Sequence, residues 1–137
     1  MIPDFLAEAI AFVGVQAYQL DPEATRAATG NLRTQFGIDI RARPWDSVHA
    51  PQGKQKDDGW SLIAGYVGSD PVLLWDGAAK QVWMLACGDD LHAVLEECPA
   101  MEFYVCDPAL NYLLCSNDHN YVIGWGRAGA WVDRLPP

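Results

Sequence analysis

The stretch that decides the fold is EFYVCDPALNYLLCSNDHNYVIGW, residues 102–125. Its apolar residues fall into three short runs separated by turn-forming residues, which predicts three consecutive strands. In the first run, apolar and other residues alternate with a period of two, as in a half-buried strand. Asp107-Pro108 ends this run because proline has no backbone N–H to donate to a neighbouring strand. Residues 112–115 form the second run and 121–125 the third, with the polar turn 116–120 between them.

Two helices are predicted before this region. In residues 2–20, apolar side chains recur with the spacing of one buried helix face. Asp21 is placed as the N-cap of a second helix, with Pro22 in its first turn and Gly37 at its end.

The segments between Gly37 and residue 102 predict more strands and one inserted helix. Two strands are expected at residues 38–42 and 60–67, flanking an exposed loop at 45–59. Residues 72–75 and 81–86 are expected to pair as a hairpin.

The inserted helix should begin with Asp89 as its cap and bury one apolar face. That face comprises Leu91, Val94, Leu95 and Cys98. Residues 127–135 then predict a closing helix. The whole pattern indicates one α+β domain over residues 1–137, with two N-terminal helices and a mostly antiparallel sheet that the inserted and closing helices complete.

Charge is the most informative functional signal. The net charge is −9, and residues 81–126 contain no Lys or Arg. The same segment carries seven carboxylates: Asp89, Asp90, Glu96, Glu97, Glu102, Asp107 and Asp118. An uncompensated negative field disfavours nucleic acid and anionic membranes and attracts basic partners, so we expect these carboxylates to form a docking surface for a basic protein.

Four cysteines, Cys87, Cys98, Cys106 and Cys115, lie on or beside predicted helices and strands, where a free thiol packs as a small hydrophobe. We therefore expect reduced thiols and a cytoplasmic location. The N-terminal segment lacks the basic start of a secretory signal, and no run is apolar enough to span a bilayer.

Catalytic and metal-binding interpretations fit these positions less well. The sequence contains no paired C-x₂₋₄-C ligands of the kind that bind structural zinc. Cys115 is close to His119 in sequence, but it lies in an apolar run, where burial raises the thiol pKa and makes the thiol a weaker nucleophile. The Asn117–Asn120 turn could suggest a nuclease-like metal loop, but turn formation by Asn117 and Asn120 explains it better. We expect no cofactor, no metal and no enzyme activity.

The C-terminal region resembles small bacterial immunity-type proteins of polymorphic toxin and contact-dependent competition systems. The resemblance rests on EFYV at 102–105, YLLC-x-N-x-HN at 112–120 and VIG-x-G at 122–126. It implies a cytoplasmic α+β protein that binds and neutralises a cognate toxin domain, without chemistry of its own.

Two other interpretations remain open at this point. One is a small enzyme or ligand-binding domain with a pocket of Trp, Cys and His119 or His92. The other is a chaperone or adaptor for a secreted effector. The sequence does not identify the toxin or the oligomeric state.

Overall fold

The computed structural model describes residues 5–40, 50–76, 81–99 and 101–136. Within these ranges the helices are α1 (Phe5–Val13), α2 (Pro22–Phe36), α3 (Gly59–Val67), α4 (Gly88–Glu97) and α5 (Ala128–Asp133). The strands are β1 (Ala17–Gln19), β2 (Lys54–Gln55), β3 (Val72–Asp76), β4 (Val82–Leu85), β5 (Phe103–Cys106), β6 (Tyr112–Ser116) and β7 (Tyr121–Gly126). The predicted α+β class is confirmed.

All seven strands join one antiparallel sheet in the order β1-β4-β3-β5-β6-β7-β2. The three strands predicted from residues 102–125 are confirmed as β5, β6 and β7, with Val105 opposite Leu114 and Leu114 opposite Gly124. The predicted hairpin is confirmed as β3 and β4, while its turn at 77–80 lies outside the described residues.

Helices cover both faces of this sheet. On one face α1, α3, α4 and α5 pack over Leu74, Val105 and Leu114. On the other, α2 and the segment after it cover Trp75, Tyr104 and other residues of the same strands. The prediction of a half-buried first strand is therefore wrong: all four residues of β5 are buried, because β5 lies at the centre of a three-layer structure.

The N-terminal segment is shorter as a helix than its periodicity predicted. Helix α1 ends at Val13, and Gly14 follows with φ +80°, a left-handed conformation that glycine adopts without a Cβ penalty. The chain then enters β1, where Ala17 pairs with Leu85. Residues 17–19 thus form an edge strand instead of continuing the helix.

Two other strand predictions are wrong. Residues 60–67 lie in α3, where Ile63, Ala64 and Val67 form the buried helical face. Ile38 and Ile40 are buried against the sheet without joining it, and the rest of that predicted strand lies outside the described residues. The loop predicted at 45–59 contains β2, which pairs with β7, and its residues 45–49 are also outside the described ranges.

The remaining helices follow the sequence closely. Asp21 caps α2 by accepting a hydrogen bond from the Ala24 N–H at 2.7 Å, and Gly37 ends that helix. Helix α4 buries Leu91, Val94 and Leu95 as predicted, but its N-cap is Cys87, so Asp89 lies in the first turn instead of capping it. Helix α5 closes the chain. None of the helices in the described part of the chain is both long and apolar enough to cross a bilayer.

Candidate functional site

The polar turn between β6 and β7 is built around Asn117. Its side-chain Oδ1 accepts hydrogen bonds from the backbone N–H groups of His119 and Tyr121, both at 2.9 Å. The backbone oxygen of Asn117 accepts the N–H of Asn120 at 3.1 Å, and Asn120 has φ 63°, which asparagine tolerates. The predicted turn-forming role of Asn117 and Asn120 is confirmed, and this turn holds Asp118 at the surface.

Helix α4 presents its acidic residues beside this turn. Burial of Leu91, Val94 and Leu95 against the sheet turns Glu96 and Glu97 toward solvent. His92 stacks on Trp60 of α3 with ring centroids 4.8 Å apart, and its Nδ1 lies 3.8 Å from the Glu96 carboxylate. The ring contact between Trp60 and His92 therefore links α3 to α4 next to Glu96.

A cleft of about 300 Å³ opens between the end of α4, the start of α3 and the β6–β7 turn. The carboxylates of Asp57, Glu96 and Asp118 line it, and no Lys or Arg is among the lining residues within the described ranges. Its apolar walls include Trp60, Leu95, Met101 and Phe103. Such a combination suits a ligand group that is cationic at one end and apolar along its stem.

Two buried polar side chains also line the cleft. Ser116 is 9% exposed and Asn117 is 5% exposed. Within the described residues, no hydrogen bond engages Ser116 Oγ, and Asn117 uses only its Oδ1, leaving Nδ2 without a partner. Neither atom is among the fully buried side-chain atoms that lack a partner in the described part of the chain, so both reach the solvent of the cleft and can bond a ligand or water there.

Glu102 lies near the same end of the sheet, immediately before β5. Burial raises the pKa of the Cys115 thiol well above its ordinary value, and the nearby carboxylates of Glu102 and Asp118 raise it further. Both negative charges therefore act on the end of β6 that borders the cleft. Glu102 itself is partly exposed.

Asp89 and Asp90 occupy the first turn of α4. Asp89 and Glu96 are seven residues apart, which places them on one helical stripe about 10 Å apart. Asp89 is exposed and Asp90 half-buried. They extend the acidic face along α4 away from the cleft.

Asp107, which is also predicted for the docking surface, is not among the described residues that line the cleft. It follows β5 at the end opposite Glu102, is only 8% exposed, and accepts hydrogen bonds from Asn111 N and Nδ2, both at 2.7 Å. A third bond comes from the Tyr112 N–H at 3.2 Å. These bonds make Asp107 a structural residue of the β5–β6 connection, and we leave it out of the candidate site.

The thiols of Cys98, Cys106 and Cys115 are poorly suited to nucleophilic chemistry. Burial raises the pKa of Cys98, which lines the cleft, and the adjacent Glu97 carboxylate raises it further. Burial and then Asp107 raise the pKa of Cys106. All four cysteines are free thiols, and no group of three His, Cys, Asp or Glu side chains within the described residues could hold a metal ion.

Sequence analysis missed Asp57 as a site residue. It lies in the turn between β2 and α3, and its Oδ1 is 3.5 Å from Asn120 Nδ2. Because Lys54 and Lys56 precede Asp57, this segment of the sequence contains charges of both signs and did not stand out as acidic. In the fold, Lys54 donates to the backbone oxygens of Asp133 and Leu135 at the end of α5, while Asp57 borders the cleft.

No protein-family model matches this sequence, and neither a search of curated proteins nor one of solved structures finds a significant match.

Proposed function

We propose that this protein is an immunity-type inhibitor that binds and neutralises a basic toxin domain through its acidic face. The observation that carries the proposal is the cleft where Asp57, Glu96 and Asp118 surround apolar walls without a basic residue among the described lining. The sequence resemblance to immunity-type proteins supports the same class.

The docking surface is centred on this cleft and continues along α4. Glu97 lies beside Glu96, Asp89 and Asp90 lie at the other end of the helix, and Glu102 precedes β5. These charges steer a basic partner toward the cleft and speed its capture, since rim charges act mainly on the association rate.

Inhibition needs no catalysis by this chain. A toxin that acts on nucleic acid or nucleotides binds an anionic substrate through basic residues. Carboxylates held on a rigid helix and a fixed turn can occupy those residues and exclude the substrate. The free thiols agree with the reducing cytoplasm in which such a protein would act.

The proposal is tested by co-expression with the product of the neighbouring gene. We expect the two proteins to co-purify, and we expect this protein to restore growth of cells that express the toxin domain. A neighbouring product that neither associates nor is neutralised would contradict the proposal.

A second candidate is a small-molecule binding domain or enzyme that uses the same cleft, since its volume lies at the lower limit of ligand pockets and Trp60 and Cys98 line it. The raised pKa of Cys98 opposes nucleophilic use of that thiol. Metal analysis and thiol titration of the purified protein distinguish the two candidates. Stoichiometric zinc or one hyper-reactive thiol would favour the enzyme, and their absence would favour the inhibitor.

A further inference from the structure

The residues that line the cleft indicate more about its ligand than their negative charge alone does. Three acidic residues, a tryptophan and the largely buried Ser116 line one space of about 300 Å³. Two of the carboxylates come from rigid parts of the fold: Glu96 from α4 and Asp118 from the turn fixed by Asn117. A preformed site of this kind can select one side chain of a partner.

We propose that the cleft takes a single arginine side chain of the partner protein, with the arginine's main-chain carbonyl accepting a hydrogen bond from Asn117 Nδ2. This inference rests on the proposed function, because it names the group of the basic partner that occupies the site.

Arginine fits the chemistry of the lining better than lysine. Its planar guanidinium carries five N–H donors, which match the carboxylates of Asp57, Glu96 and Asp118 together with Ser116 Oγ. Its methylene stem packs on apolar walls, and the guanidinium stacks on an aromatic face such as that of Trp60.

Asn117 distinguishes a protein side chain from a free organic cation. Its Oδ1 is engaged by two backbone N–H groups, so the amide cannot rotate to offer its oxygen to a cation without losing both bonds. The remaining Nδ2 is a donor and requires an acceptor on the ligand. A peptide-borne arginine has such an acceptor in its backbone, whereas an alkylguanidine or a polyamine does not.

The probes are three small molecules titrated into the nitrogen-15-labelled protein: acetyl-Gly-Arg-Gly-amide, its citrulline analogue, and butylguanidine, which carries one positive charge like the arginine peptide. We expect the arginine peptide to shift the backbone signals of Ser116 and Asn117 and the Asn117 side-chain amide signal, with saturation at millimolar concentrations. The citrulline peptide lacks the charge and butylguanidine lacks the carbonyl, so each should bind roughly tenfold more weakly.

Glu96→Gln should weaken binding of the arginine peptide by about tenfold, because the guanidinium loses an ion pair with a carboxylate and keeps only a hydrogen bond to a neutral amide. Glu23→Gln is the matched control, since Glu23 is exposed on α2 across the sheet and should leave binding unchanged. Equal binding of the arginine and citrulline peptides, equal binding of butylguanidine, or the absence of a saturable shift at Asn117 would overturn the inference.

The two proposals fail separately. If the protein neutralises a toxin but the arginine peptide does not bind, the arginine site is wrong and the proposed function stands. If the peptide binds as described and no toxin is neutralised, the arginine site is supported and the proposed function is wrong.

Discussion

Asn117 Oδ1 accepts the backbone N–H of Tyr121 at 2.9 Å, and this bond fixes the first residue of β7 beneath the turn that carries Asp118. The same oxygen also holds the N–H of His119. One buried side chain therefore determines both the β6–β7 connection and the position of an acidic residue of the cleft.

Replacing Asn117 should affect stability and binding together. Asn117→Ala removes the acceptor of two backbone N–H groups, and we expect a loss of about 1–3 kcal/mol in the free energy of unfolding. Urea unfolding provides the measurement. Asn31→Ala, at an exposed position in α2, is the control and should change stability by less than about 0.5 kcal/mol. Equal effects of the two changes would contradict this account of the turn.

The crossing of α3 and α4 depends on Gly88. Its N–H donates to Gly68 O at 2.6 Å, and an added Cβ would overlap the backbone oxygen of Ala64. We expect Gly88→Ala to destabilise the protein by about 2 kcal/mol or more, because two backbones would have to separate. Gly65→Ala, in α3 with open space around it, should instead stabilise by about 0.5–1 kcal/mol. Thermal unfolding of both variants tests the crossing, and a tolerated Gly88→Ala would contradict it.

Cys98 reports on the acidic end of α4. Its pKa is raised by burial and by the Glu97 carboxylate, so Glu97→Gln should lower that pKa and increase the thiolate fraction at a given pH. We expect faster alkylation of Cys98 at pH about 8, just below the ordinary thiol pKa. Glu8→Gln, on α1, should leave the rate unchanged. Unaltered alkylation of the Glu97 variant would show that its charge does not act on the thiol.

Stability should fall as the solution becomes alkaline. Burial, followed by the Asp107 carboxylate, raises the folded-state pKa of Cys106 above its unfolded value, so folding favours the protonated thiol. This contribution is complete below the unfolded pKa of about 8.5 and is lost as the pH rises above it. Urea unfolding across that pH range should show a decrease in the free energy of unfolding. In Cys106→Ala this decrease should be less steep. A free energy of unfolding that rises with pH would contradict the sign.

The sequence predicted the elements whose signals were local and unambiguous. Asp21, Pro22 and Gly37 defined α2, and the polar turn at Asn117 defined the β6–β7 connection. The segment from Trp60 to Val67 was misassigned because a short apolar run fits a strand or a buried helix equally well, and only packing against α4 decides.

The candidate site was predictable in charge but not in arrangement. Glu96 and Asp118 were predicted as site residues because their segment of the sequence contains no Lys or Arg, and the fold brings both to one cleft. Asp57 is 39 positions before Glu96 in the sequence and joins them only through tertiary structure. Asp107 had the same sequence signal as Asp118, yet its hydrogen bonds to Asn111 and Tyr112 give it a structural role.

We propose that the acidic face around Glu96 captures a basic toxin domain. The most direct test is the association rate constant with the toxin domain from the neighbouring gene, measured by stopped flow at low and moderate salt. The variants are Glu96→Lys/Glu97→Lys and the control Glu8→Lys/Glu23→Lys, which reverses the same number of exposed charges on α1 and α2.

For the first variant we predict association slowed by about tenfold or more and a flatter dependence on salt, because steering by the acidic face is lost. The control should associate nearly as fast as the unmodified protein. Association that is equally fast for all three proteins at low salt would contradict the claim.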